Sequence, residues 1–342
     1  MIAMQYHIFL KASRWPIWVT ALSMSLVIIF FIFWIDIGLL PDYSNYLSWA
    51  EEFQERPWAG LGFFEFLGFA QIKFFGSIEN SVDAGLQKLY VFNAIIAILG
   101  LFGLSVRYAK TATGVFLVYI LYGPLLSYIT LRATPAYILI SWLILISKDI
   151  KNKFLLMAIP LLYHFSSLIP SILVAVVEFL NLNGRLNFKK NKLNFNILII
   201  FLFFIGIFFQ IIWISGIGDG AAQFIAGFFN LGDKIQEYLD TAAVYRSPAH
   251  FGYYIFVLIS TCFYLYLTCD SVEGLWWVIF LALLAFMFMS ISPVVAYRFS
   301  IFFLLPVFLD LPQAKTALTY IFKNLVFFTG VAIGAFQLFS LF

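Results

Sequence analysis

The chain is poor in charge. Only 11% of its 342 residues are Asp, Glu, Lys or Arg, against about 25% in soluble domains, which excludes a soluble globular protein. Cysteine is nearly absent. Cys262 and Cys269 stand seven apart on one predicted helix, about 10.5 Å along its axis, too far for a disulfide, and read as small packing residues. Three histidines and two cysteines with no ligand spacing between them predict no metal site, and activity undiminished in chelator. No Gly-rich phosphate loop or nucleotide motif occurs. That argues against ATP-driven transport by this chain alone, and no cofactor or nucleic-acid partner is expected. No internal repeat is evident, and the 43 phenylalanines are spread throughout as packing and lipid-facing bulk.

What is present is apolar sequence, 63% of the chain, in runs long enough to cross a bilayer. Clear spans are Pro16–Leu40, Leu89–Val106, Thr113–Ile129, Pro135–Ile146, Asn194–Ile217, Phe251–Cys269, Leu275–Ile291, Val294–Leu311 and Thr319–Leu341. The first is too long for a signal-peptide core and is read as a retained helix with Lys11 and Arg14 on its cytoplasmic flank. Basic links at Arg107/Lys110, at Lys148–Lys153 and at Arg185–Lys192 predict three cytoplasmic loops, the last over 181–193. Asp42–Arg56 sets four acids against one base, and Gly218–His250 sets four against two. Both are expected outside, within external loops of about 41–88 and 218–250. Phe154–Leu180 has basic flanks on both sides, and its 27 residues cannot cross twice. With Pro160, His164 and Pro170 inside it, the segment is expected to form broken, re-entrant half-helices with His164 near the tip. Gly60–Phe75, carrying Glu65 and Lys73, is expected to dip in from outside or lie on the surface. The expected fold is all-α: one polytopic transmembrane domain over 1–342, with about 9–11 transmembrane helices including the broken ones, and the N-terminus in the cytoplasm.

The residues that interrupt the apolar runs carry the chemistry. Arg298 lies within Val294–Leu311 and Arg132 on a short link between two apolar runs. An arginine near the middle of a membrane helix costs about 2.5–3.5 kcal/mol on insertion scales, so something polar or anionic is expected to meet it. With Arg246 on the long external loop, three arginines gather on the outer side. The guanidinium fork matches phosphate bidentately; the alternative for each is snorkelling to headgroups or pairing with a carboxylate. Asp42-Tyr43-x-x-Tyr46 suits sugar binding, or equally a helix cap with an interfacial aromatic belt. His164 either holds the half-helix break together or acts in chemistry. His250, four residues after Arg246, is either an interfacial cap or a base at neutral pH.

Taken in order, these elements resemble the Wzy-type and EpsG-like polysaccharide polymerases. Gly38-Leu-Leu-Pro-Asp42-Tyr43-Ser-Asn-Tyr46 is similar to their Gly-x-Asp-Tyr-x-x-Tyr signature, with a longer gap after Gly38. Glu55-Arg-Pro-Trp-Ala-Gly60-Leu-Gly-Phe resembles their Glu-Pro-Gly-Phe element, with Trp58-Ala59 intruding. Arg132 before a short helix, His164-Phe-Ser-Ser-Leu-Ile and Tyr297-Arg298-Phe-Ser-Ile-Phe-Phe-Leu-Leu-Pro306 match three further elements. The resemblance spans residues 38 to 306. It implies a glycosyltransferase that extends undecaprenyl-pyrophosphate-linked repeat units at the outer face of the bacterial cytoplasmic membrane, in O-antigen, capsule or exopolysaccharide growth. Membrane lipids, a chain-length regulator and a flippase are the partners it implies.

On that footing Arg298 and Arg132 are expected to clamp the pyrophosphate, with Tyr297 beside them and Arg246 closing over the donor. His250 or Asp42 is expected to act as base, His164 to orient the site from below, and Tyr43 and Tyr46 to bind sugar. Direct displacement with inversion is the simpler course, as no placed carboxylate pair is visible in the sequence. The rival readings are a lipid-linked oligosaccharide flippase, a membrane acyltransferase built on His164, and a non-enzymatic scaffold.

Overall fold

A computed structural model describes residues 14–40, 42–55, 57, 65–146, 156–182, 192–214, 248–269, 274–290, 293–313 and 316–339. Among the described residues the regular structure is helical throughout, in thirteen α-helices. These are α1 (Trp15–Ile32), α2 (Tyr43–Glu55), α3 (Phe66–Ser77), α4 (Val82–Tyr108), α5 (Ala112–Pro124), α6 (Thr134–Leu145) and α7 (Ile159–Tyr163). They continue as α8 (Leu168–Leu182), α9 (Lys192–Ile214), α10 (Pro248–Leu267), α11 (Gly274–Met289), α12 (Pro293–Leu309) and α13 (Ala317–Phe339). Among the described residues six segments are long and apolar enough to cross a bilayer: Trp15–Ile32, Val82–Tyr108, Ala112–Ile129, Phe195–Ile212, His250–Leu267 and Ala317–Gln337. Four shorter helical stretches are apolar as well: Thr134–Leu145, Leu168–Leu180, Gly274–Met289 and Val295–Leu309. The chain is an all-α polytopic membrane protein.

Each of the nine clear spans expected from hydropathy meets a helix, with shifted ends. The first stops early, at Ile32, where the backbone turns. Asp36 then accepts from the Gly38 amide and starts a 3₁₀ turn over Ile37–Leu39, so the run to Leu40 is apolar without being helical. The Gly60–Phe75 segment contains α3, which begins at Phe66; residues 60–64 lie outside the described set.

The chain divides into two compact units, residues 1–171 with 308–313 and 330–342, and residues 172–307 with 314–329. In the first, α4 is the central post, packed on α1, α2, α3, α5 and α6. Its buried residues Leu86, Leu89, Tyr90, Asn93, Ala94, Ala97, Ile98, Leu101 and Leu104 recur at helical spacing, while Val91, Phe92, Ile95 and Leu99 are exposed. Both faces are apolar, as a helix that meets protein on one side and lipid on the other requires. Ser81 caps its start through the Ala84 amide, with Asp83 in the first turn and Arg107 in the last, each at the favourable end of the helix dipole.

Backbone approach between α3 and α4 depends on Gly85. A Cβ there would lie 2.0 Å from the Phe75 carbonyl oxygen. Gly85→Val is expected to force the two helices apart and lower stability by at least about 1–3 kcal/mol. A thermal melt of the detergent-solubilised protein reads this as a clear drop in midpoint.

The second unit packs α9, α10 and α11 against one another. Three of its buried polar aromatics, Tyr253, Tyr254 and Trp276, find hydrogen-bond partners. The Tyr254 hydroxyl donates to the Gly206 carbonyl at 2.9 Å and the Trp276 indole N–H to the Leu265 carbonyl at 3.0 Å. Tyr253 and Ser300 share a 2.7 Å hydroxyl contact.

Candidate functional site

Three helix ends of the first unit meet at one point. Each is an end for a local reason. The α5 helix passes through Pro124 into a π-helical turn at Leu125–Ile129, and the chain then reverses through residues 131–133 into α6. The carbonyls freed at that turn are taken up inside the unit. Asn93 Nδ2 donates to Leu126 O at 2.8 Å, and Thr134 Oγ1 donates to the same oxygen at 2.6 Å. Arg132 is carried on this braced reversal, two residues before α6 begins.

The second end is the break in the 154–180 segment. The α7 helix stops at Tyr163, His164 is extended with φ −157° and ψ 127°, and a 3₁₀ turn over Phe165–Ser167 leads into α8. Ser171 Oγ donates to the Met157 carbonyl at 3.2 Å. Fourteen residues of continuous helix would hold these groups about 21 Å apart, so the two arms fold back beside each other with His164 at the bend. The bend falls where Pro160, His164 and Pro170 placed it.

The third end is the start of α3 at Glu65. This residue has φ 64°, the left-handed region that non-glycine residues occupy only when their surroundings hold them there. Its amide donates to the Leu161 carbonyl at 3.1 Å, and its carbonyl accepts from the Phe69 amide at 2.9 Å. Close contact at Gly68 completes the junction. A Cβ there would lie 2.7 Å from Tyr163 O and 3.3 Å from Arg132 Cβ.

At the junction the Glu65 carboxylate accepts from Arg132 Nη1 at 2.9 Å through Oε2, and its Oε1 lies 3.7 Å from His164 Nε2. The three side chains are between 15% and 17% exposed. An ion pair this sheltered is far less screened than a surface one. The Arg132 guanidinium carbon sits 4.5 Å from the Trp49 ring centroid and 4.8 Å from that of Phe69, two rings nearly perpendicular at 86°. Two aromatic faces and one carboxylate therefore fix its position. Arg132 Nε is buried and has no hydrogen-bond partner among the described residues.

The tautomer of His164 follows from its neighbours. The Ser166 amide, which can only donate, lies 3.1 Å from Nδ1, and Ser166 Oγ lies 2.6 Å from the same atom. Nδ1 thus carries the lone pair, and in the neutral ring the proton is on Nε2, facing Glu65. His164 is set to donate toward the carboxylate rather than to take a proton at that nitrogen.

The aromatic wall extends from Trp49 to Tyr46 at 5.5 Å, from Tyr46 to Tyr90 at 6.3 Å and from Tyr90 to Tyr43 at 5.7 Å between centroids. Tyr43 and Tyr46 are each only 7% exposed, so they join the wall as packed rings. The Tyr43 hydroxyl donates to Asp83 Oδ1. Burial first, and that hydrogen bond second, push the Tyr43 phenol up to about 12. The neutral phenol is the form that the fold favours. Its contribution to stability is complete below the ordinary tyrosine value near 10 and is lost as pH rises through about 12. The melting gap between the wild type and Tyr43→Phe is expected to be constant up to about pH 10 and to narrow above it. Lys73, 7% exposed, donates to the Phe53 and Gln54 carbonyls at the end of α2. That link ties α2 to α3 and holds Trp49 and Phe69 on either side of Arg132.

The other residues singled out in the sequence have surroundings of their own where they are described. Asp42 is exposed, with φ 66°, and its carboxylate accepts from Asn45 Nδ2 at 3.3 Å. In the second unit Arg298 is exposed on α12, and the half-buried Tyr297 ring packs 4.8 Å from Tyr253. His250 is half-buried in the first turn of α10, and Arg246 lies outside the described residues. Sequence reasoning paired neither Glu65, Trp49 nor Phe69 with Arg132. The available signal was that Glu65 is the sole carboxylate between Glu55 and Glu79, in an otherwise apolar stretch.

Comparison with protein-family models, with curated proteins and with solved structures returns no match.

Proposed function

We propose that this protein is a membrane glycosyltransferase that polymerises polyprenyl-pyrophosphate-linked oligosaccharide repeats at the outer face of the bacterial cytoplasmic membrane. One observation carries the reading: Arg132, Glu65 and His164 converge at three helix ends against an aromatic wall, in a chain of which only 11% is charged. Arg132 and His164, 32 residues apart, are two of the positions on which the family resemblance rests. Contact between them through a shared carboxylate supports a common role.

The chemistry needs a cation at the departing diphosphate, a flat surface for sugar and a group to take the acceptor proton. Arg132 supplies the cation, with a fork suited to phosphate oxygens and further donors beyond the one given to Glu65. Trp49 and Phe69, both part-exposed, supply apolar faces for the C–H surfaces of a sugar. The leaving group, a lipid diphosphate, brings its own affinity for a membrane protein, so no nucleotide site is required.

The test is a reconstituted reaction. Purified protein in detergent is given an undecaprenyl-pyrophosphate-linked repeat unit with no nucleotide sugar and no other protein, and products are separated on a gel. A ladder is the expected result, and an Arg298→Ala sample beside it tests the arginine of the second unit. Unchanged substrate with folded wild-type protein sinks the reading and moves attention to a flipping assay in liposomes.

A further inference from the structure

The Glu65–Arg132 pair presents a difficulty for any anion that binds at Arg132. The guanidinium already holds a carboxylate at 2.9 Å. A diphosphate arriving at the same fork offers more negative charge and more oxygens than one carboxylate does. It competes for the guanidinium and loosens the hold on Glu65 Oε2. The carboxylate does not thereby leave the site. Its backbone is fixed by the Leu161 and Phe69 hydrogen bonds in a left-handed conformation, and His164 Nε2 faces its other oxygen. Glu65 is therefore a carboxylate kept in place but freed of its cation when a diphosphate is bound.

Resting on the glycosyl-transfer reading above, we infer that Glu65 is the general base of the reaction, masked by Arg132 until the donor's diphosphate displaces it. While Arg132 Nη1 holds Oε2 at 2.9 Å, that oxygen is taken by a donor; displacement of the guanidinium by diphosphate opens it to the acceptor hydroxyl. In the step itself the acceptor hydroxyl oxygen bonds to the anomeric carbon of the donor sugar. The bond from that carbon to the diphosphate oxygen breaks, and its electron pair leaves with the lipid diphosphate. The hydroxyl proton passes to Glu65. Arg132 stabilises the charge that develops on the leaving oxygen. His164, held by Ser166, is a positioning residue whose Nε2 faces the carboxylate at 3.7 Å. The masking has a chemical use: before a donor is bound, Oε2 is occupied by Arg132 and is not offered to the acceptor hydroxyl.

Glu65→Gln separates this from a structural role, because it keeps the shape and removes both the base and Arg132's anionic partner. Two quantities are measured. Turnover of the lipid-linked repeat is expected to fall by about 10²–10⁴-fold, the usual reach of general base catalysis. Binding of undecaprenyl pyrophosphate in detergent, read by tryptophan fluorescence, is expected to tighten several-fold, since nothing competes for Arg132. Glu65→Asp, which keeps a carboxylate on a shorter arm, is expected to recover part of the turnover. Loss of binding together with turnover in Glu65→Gln would assign Glu65 to structure alone, and near-wild-type turnover in that variant would also overturn the inference. A wild-type protein that makes no ladder removes the glycosyl-transfer reading and the base with it. A wild-type ladder beside an active Glu65→Gln removes only the base.

Discussion

Replacing Arg132 by alanine is expected to reduce chain growth by about 10²–10³-fold, the range seen when one charge-stabilising donor is taken from an active site. The magnitude follows from how the residue is held. Trp49 and Phe69 pack against the guanidinium at 4.5 and 4.8 Å, and Glu65 fixes one nitrogen, so the fork is oriented before any ligand arrives. The two rings keep that orientation when diphosphate replaces Glu65 as the anionic partner, so little freedom is lost as charge develops. Arg132→Lys keeps the charge but not the planar fork or its stacking on the rings. It is expected to recover part of the activity while weakening diphosphate binding. Initial rates of polymer formation, with undecaprenyl pyrophosphate affinity measured on the same samples, check both statements. Full activity in Arg132→Ala would remove Arg132 from the site.

Much of the scaffold was legible in the sequence because bilayer thickness imposes length and hydropathy on every span. The bend at His164 was legible for a related reason. Basic flanks on both sides of Phe154–Leu180, and prolines at 160 and 170, left that stretch no straight course. Arg132 stood out as a charge between two apolar runs. The partners of these residues were not legible. Glu65 reaches Arg132 across 67 positions, and no periodicity records a contact set by how α3, α6 and α7 pack. Tyr43 and Tyr46 show the converse. Their type and place at a membrane edge suit an exposed sugar platform, yet α2 turns both inward against Tyr90. An isolated acid in an apolar stretch is thus a strong pointer to a sheltered ion pair, whereas tyrosines near a helix start do not tell by type whether they face in or out. The acid must find a partner when buried, whereas the tyrosines are content as packing.

The same pair yields a large expected effect on stability. Glu65 and Arg132 are 17% and 15% exposed, close enough to burial that removing one partner strands the other. Breaking a fully buried pair costs about 3–5 kcal/mol; the residual exposure here brings the expected loss for Glu65→Leu to about 2–3 kcal/mol. Arg132→Met is expected to lose a similar amount, since it leaves the Glu65 carboxylate without its cation on a backbone that cannot turn away. The double variant Glu65→Leu/Arg132→Met strands neither charge. It is expected to melt within about 1 kcal/mol of the wild type, because apolar replacement of a buried pair is often neutral or better, yet to make no polymer. Melting of the four proteins in one detergent gives the coupling energy directly. Additive losses would mean that the two residues act on stability through separate neighbours. A restored melt without a ladder would mean that the pair is kept for its chemistry, since an apolar junction holds the three helix ends together equally well.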